Sequence, residues 1–153
     1  MRDIDDFLEP ALSGDLRCNE PLSVVWPGRL PKGTTERDNV RFVLEKLKAD
    51  GIDGLKSRYV ADIGGSRDRV VYMEGVSPCL TRSRASSGGH WLTWKQRKMT
   101  SSEVLALQGV PPGRIPAGVL SDRQLGAIAG NAVPVPLLRR VMKALFKAAG
   151  LQH

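Results

Sequence analysis

The stretch Arg97-Lys98-Met99-Thr100-Ser101-Ser102-Glu103-Val104-Leu105-Ala106-Leu107-Gln108-Gly109 decides how the C-terminal half of this chain folds. Thr100 and Glu103 stand three residues apart just ahead of an apolar run. That is the spacing of a capping box, in which the hydroxyl takes the Glu103 amide and the carboxylate takes the Thr100 amide. The helix it opens ends at Gly109, and Pro111-Pro112 forbid its continuation. A second box, Ser121-Asp122-Arg123-Gln124, opens a helix over 122–129 that stops at Gly130-Asn131. Each cap contributes about 1 kcal/mol. Beyond the rigid Pro134-Val135-Pro136 segment the pattern predicts a final helix over 137–149. Leu138, Val141, Met142, Leu145 and Ala149 share one of its sides, while Arg139, Arg140, Lys143 and Lys147 lie elsewhere.

Toward the N-terminus, Val40, Val43, Leu44 and Leu47 recur at helical spacing, with Glu36 and Asp38 in the first turn and Gly51 after the end. They predict a helix over about 35–49. Two short strands, 59–63 and 70–73, flank a Gly64-Gly65-Ser66 turn. Residues 75–92 read as a flexible Ser/Gly/Arg-rich loop closing on Trp91. Residues 1–34 read as irregular, with five-residue extended pieces such as 22–26 at most. Short strands with three or four helices imply an α+β fold.

At 153 residues the chain makes one domain or part of one. Its net charge of +7 is unevenly placed. Residues 1–20 hold six acids against Arg2 and Arg17, so the remainder carries +11. No acid lies between Glu74 and Glu103, whereas Arg82, Arg84, Lys95, Arg97 and Lys98 fall inside that window. A stretch of one sign suits a phosphate backbone, although a solvated basic face has the same composition. The acidic N-terminus lacks the apolar core of a secretion signal, and no apolar run reaches the roughly 18 residues that span a bilayer. These features predict a soluble, intracellular protein. Cys18 and Cys79 lie far apart with only His90 and His153 to join them, so neither a zinc spacing nor a structural disulfide is indicated.

The two capped blocks, in this order and at this spacing, resemble the last two conserved blocks of DNA cytosine-5 methyltransferases. The family's penultimate block has the form Arg-x-Leu-Thr-x-x-Glu-x-x-Arg-Leu-Gln-Gly-Phe. Arg97, Thr100, Glu103, Leu107, Gln108 and Gly109 match it; Met99, Ala106 and Val110 depart from it. The final block, Gln-x(5)-Gly-Asn-Ala-Val-Pro-Val-Pro, is matched at Gln124 and from Gly130 to Pro136. Upstream, Ser77-Pro78-Cys79-Leu80-Thr81-Arg82-Ser83-Arg84 resembles the stretch where the family's target-recognition region rejoins the core. Asp3-Ile4-Asp5-Asp6-Phe7-Leu8-Glu9-Pro10 is similar to the sequence that opens that region.

The resemblance implies a fragment of a Rossmann-like methyltransferase. Its parts would be a target-recognition-like region (1–92), the penultimate block (93–120) and the final block with its docking helix (121–150). It implies methyl transfer from S-adenosylmethionine to C5 of cytosine in double-stranded DNA, as in restriction–modification and other DNA methylation. Gly130, Asn131 and Val133 would face the cofactor. Thr100, Glu103, Gln108, Gly109 and Gln124 would be structural. Arg82, Arg84, Lys95, Arg97 and Lys98 are the candidate DNA contacts, with Arg97 open to a second role as a buried organiser. Gly130-Asn131 also has a simpler reading as a left-handed helix cap.

What the family places upstream of these blocks is not found. There the nucleophile is a Pro-Cys thiolate that attacks C6 of a flipped cytosine. Pro78-Cys79 looks like it but sits immediately before the penultimate block, lacks the Gln and Ser that should follow, and no Glu-Asn-Val occurs anywhere. Cys79 is therefore read as a small inert hydrophobe, and no residue is assigned as catalytic or metal-binding. Tyr59-Val60-Ala61-Asp62-Ile63-Gly64-Gly65-Ser66 has the outline of a cofactor glycine loop, but it leads into a second strand rather than a helix. Ser83, Ser86, Ser87 and His90 lack a nucleophile elbow, so His90 is read as a surface histidine. Trp91 and Trp94 are read as packing residues. The chain is thus expected to be inactive without a catalytic domain, in cis or in trans. The alternatives are the small subunit of a split methyltransferase and a non-catalytic DNA-binding module.

Overall fold

The computed structural model describes residues 30–111, 113–116 and 118–151; the expected extended piece at 22–26 lies outside them. Helix α1 spans Thr34–Ala49, within a residue of its expected start. Asn39, Val40, Val43 and Leu47 recur at the helical period and are its buried residues. Strands β1 (Tyr59–Asp62) and β2 (Val71–Glu74) form the expected antiparallel pair, Val60 opposite Met73 and Ala61 opposite Tyr72. A short 3-10 turn, Arg67–Arg69, joins them.

The segment 75–92 corrects the sequence reading. In place of a flexible loop it holds helix α2 (Arg82–Ser87) and strand β3 (His90–Leu92). Strand β3 pairs with β1 on one side and with β4 (Arg97–Lys98) on the other, giving a four-stranded antiparallel sheet of order β2-β1-β3-β4. Gly88 supplies the left-handed cap that ends α2, at φ 63°.

The central strands are buried on both faces because each face carries helices. Ala61, Ile63 and Trp91 pack with Val40, Val43 and Leu47 of α1. Val60 and Leu92 point the other way, into a cluster with Ala85, Met99, Val104, Leu105 and Ala129. The register brings Ala61 opposite Trp91 and Val60 opposite Leu92, so each cross-strand pair serves one layer. Asn39 Nδ2 ties α1 to the end of β1 by donating to the carbonyls of Ile63 (2.9 Å) and Gly65 (2.8 Å).

Both capping boxes are formed. Helix α3 (Ser101–Leu107) and helix α4 (Asp122–Asn131) each receive the reciprocal side-chain and backbone bonds from their cap pair. Helix α4 runs on through Gly130 and Asn131, and neither has the positive φ of a left-handed cap. The helix ends instead where Ala132 turns extended and Pro134 follows.

Helix α5 (Val135–Ala148) has no buried residue. Leu138, Val141, Met142 and Leu145 are all exposed, Leu145 at 55%. Four large apolar side chains in one stripe, flanked by Arg139 and Lys143, are covered by nothing among the described residues. The chain taken alone is expected to self-associate, and Leu138→Asp combined with Leu145→Asp is expected to return it to monomer. Sedimentation velocity reads this directly; a cooperative, concentration-independent monomer with α5 intact would contradict it.

Candidate cofactor-facing turn and basic surface

The residues of the two blocks converge on one assembly. Glu103 is fully buried at the start of α3, and its carboxylate does three things at once. It accepts from Arg97 Nη1 (2.8 Å) and Nη2 (2.7 Å), and from the Thr100 amide (2.8 Å). The Arg97–Glu103 pair clamps β4 to α3, and Arg97 also donates to the Lys98 carbonyl within β4. A buried carboxylate requires such compensation, and the bidentate guanidinium supplies it.

Gln108, at the other end of α3, reaches two later elements. Its Nε2 donates to the carbonyl of Ala129 on α4 at 2.8 Å. Its own carbonyl accepts from the Val135 amide, the first residue of α5, at 2.9 Å. Gly109 follows at φ 82°, a left-handed backbone that disfavours a side chain, with Pro136 packed where a Cβ would stand. The turn 130–134 is thus pinned at both sides. Asn131 and Val133 stand on it exposed, Val133 at 57%. The Asn131 side chain enters none of these bonds.

Gly126 and Gly130 sit one turn apart on α4 and press against α2. A Cβ on Gly130 would lie 2.5 Å from the Thr81 carbonyl oxygen and 2.6 Å from Arg82 Cα; one on Gly126 would overlap the Ala85 carbonyl. The close approach that Gly130 permits is therefore made by the backbone at the start of α2. Gln124 caps α4 through Ser121.

The five candidate DNA cations do not form one free patch. Arg84 is held by Asp62 at 3.2 Å and also donates to the Gly64 carbonyl, filling the turn that had the outline of a glycine loop. Arg97 is the organiser of Glu103. Lys98 pairs with Glu36 at 2.7 Å. Arg82 is exposed at the head of α2, and Lys95 is half-buried beyond β3. Arg67 and Arg69 are exposed at the β1–β2 turn, where a cation has no sequence motif to mark it.

His90 is a second correction: it is 1% exposed, not a surface residue. It stands on β3 opposite Asp62, and neither ring nitrogen has a well-formed hydrogen bond. Burial lowers its pKa below the ordinary 6.5, and Arg84 adds to this; the Asp62 charge and the Cys79 backbone oppose it. The folded state therefore holds His90 neutral while the unfolded chain takes up the proton near 6.5. Stability is complete above that pH and falls as acid drives the pH below it. Thermal melts between pH 7 and 5 are expected to show this loss in the wild type and a flatter profile in His90→Gln. Equal slopes in both would contradict it. Trp91, fully buried against α1, and half-buried Trp94 are packing residues as read. Cys79 is an exposed free thiol.

Among the described residues no cluster of His, Cys, Asp and Glu has metal-binding geometry, and no helix is long and apolar enough to cross a membrane. The fold is α+β: a four-stranded antiparallel sheet with α1 on one face and α2, α3 and α4 on the other. Over 119 residues, 75% of its length, the chain is 29% identical to the DNA (cytosine-5-)-methyltransferase DMT5 of Cryptococcus neoformans var. grubii. It spans about 5% of that relative's length. No family model matches it. The likeness is distant.

Proposed function

We propose that this chain is the C-terminal recognition and closing part of a DNA cytosine-5 methyltransferase, and that it acts with a catalytic domain supplied in cis or in trans. The observation that carries the reading is the division of labour among the block residues. Arg97, Thr100, Glu103, Gln108, Gly109, Gln124 and Gly130 each have a structural task inside the chain. Asn131, Val133 and the apolar stripe of α5 have none and stand exposed. Residues of this kind gain a task when a second domain covers them. Distant likeness to a cytosine-5 methyltransferase supports the same reading.

On this reading α5 docks on the catalytic domain, and the turn of Gly130, Asn131 and Val133 closes the cofactor pocket. Asn131 fits as a hydrogen-bonding contact and Val133 as an apolar one, with Gly130 seating the backbone just before them on α2. S-adenosylmethionine, when bound, supplies the methyl group, and the catalytic domain supplies the thiolate that activates cytosine. The sheet side forms the recognition region. Exposed Arg82 is its candidate phosphate contact; Arg84, Arg97 and Lys98 reach DNA only by giving up or sharing their carboxylate partners.

The test is methyl transfer from labelled S-adenosylmethionine to duplex DNA. The isolated chain is expected to be inert, and the chain together with its catalytic domain active. Transfer by the isolated chain, abolished by Cys79→Ala, would overturn the proposal. Tight duplex binding by the isolated chain that falls steeply with salt would favour the DNA-binding module instead.

A further inference from the structure

We infer that Gln108 is a positioning residue for the cofactor-facing turn, acting through the ends of α4 and α5. The inference rests on the cofactor reading of Asn131 and Val133 but has a geometric basis of its own. Among the described residues Gln108 is one of six buried polar side chains, at 5% exposure, and its Oε1 has no partner there. A buried amide with one half unpaired is costly, and what offsets that cost here is a bond that no apolar side chain could make. The other half bonds the Ala129 carbonyl, two residues before Asn131. That same carbonyl accepts the Ala132 amide at 3.2 Å, so Gln108 braces the last turn of α4 where it unwinds.

The backbone of the same residue holds the far side. Its carbonyl bonds the Val135 amide, two residues after Val133. One residue thus clamps the chain on each side of a five-residue turn, and Gly109 lets Pro136 close against the clamp. The turn itself lacks the buried apolar residues that would hold it otherwise: residues 131–133 are all exposed. A contact to a cofactor needs its groups held within about 0.5 Å. Gly130 is seated on α2, and the exposed residues beyond it are held from outside the turn, by Gln108.

The consequence is specific to Gln108. Gln108→Met keeps the length and volume of the side chain and removes only the bond to Ala129. Val43→Ala, in the α1 cluster on the other face of the sheet, lowers global stability without touching the clamp. Amide hydrogen exchange on the chain, read at Ala132, is expected to quicken about tenfold in Gln108→Met beyond the change seen in Val43→Ala. With the catalytic domain in place, S-adenosylmethionine titrated by calorimetry is expected to bind about five- to tenfold more weakly to Gln108→Met. KM for the cofactor is expected to rise with kcat little changed. Exchange that rises equally in both variants, or unchanged cofactor binding despite quickened exchange, would overturn the positioning role. If Asn131→Ala leaves cofactor binding unchanged, the cofactor reading falls, whereas the exchange comparison still decides whether Gln108 holds the turn.

Discussion

Replacement of Arg97 by Ala is expected to destabilise the chain by about 3–5 kcal/mol, the usual cost of leaving one member of a buried ion pair without its partner. Glu103 is the reason. Its side chain has no exposure, while Arg97 retains 22%, so the carboxylate is the desolvated member. Its bond to the Thr100 amide remains after the substitution, but the bidentate cation at 2.7–2.8 Å does not. Lysine at position 97 returns the charge without the fork geometry and is expected to recover only part of the loss. The double variant Arg97→Met, Glu103→Gln removes both charges and is expected to be markedly more stable than Arg97→Ala. Denaturant titration reads all three. An Arg97→Ala chain within about 1 kcal/mol of wild type would show that the pair is a surface bridge, which typically contributes that little.

The second large effect is expected at Gly126 and Gly130. In an exposed helix interior, glycine to alanine gains about 1 kcal/mol. Here the sign reverses, because the added methyl group meets the backbone of α2 rather than solvent. At Gly130 the obstacles are the Thr81 carbonyl and the Arg82 backbone, at Gly126 the Ala85 carbonyl; none of these is the free end of a flexible side chain. Either substitution must push α2 off α4, opening the cluster that holds Ala85, Ala129 and Leu105. Overpacking of this kind costs about 1–3 kcal/mol, and more where backbone must move. Gly75 is the control for crowding: a Cβ there meets nothing within 4 Å, so the cost of Gly75→Ala comes from its φ of 66° alone. The crowding account fails if Gly130→Ala melts at or above the wild-type temperature.

These two effects show what was legible in the sequence. The capping boxes, α1 and the β1–β2 pair were readable because each is a local pattern: a three-residue spacing, a helical period, two short apolar runs around a turn. Arg97 was legible only as either a phosphate contact or a buried organiser, and nothing in the spacing paired it with Glu103. Helix α2 was not readable. Its six residues, Arg-Ser-Arg-Ala-Ser-Ser, contain one apolar side chain and no period, and what holds it lies on α4, at Gly126 and Gly130. Strand β3 is three residues long and buried on both faces, so His90-Trp91-Leu92 shows no alternation, and its histidine read as a surface group.

The basic window failed for a related reason. Composition shows how many cations a stretch holds but not which carboxylates they meet. Lys98 meets Glu36, 62 residues upstream, and Arg84 meets Asp62, 22 upstream. The acids absent from the window return to it through the fold. Conversely, the exposed side of α5 was visible from periodicity alone, because nothing in the described chain covers it.

The most direct test of the central claim is the methyltransferase activity of the native material captured through this chain. An affinity handle after residue 153 would retrieve whatever the chain is joined to or assembled with, and labelled S-adenosylmethionine with duplex DNA would read its activity. The account predicts methyl transfer to C5 of cytosine, a catalytic cysteine outside residues 1–153, and loss of activity when Leu138 and Leu145 are both replaced by Asp. Captured material that consists of this chain alone and transfers no methyl group would contradict it.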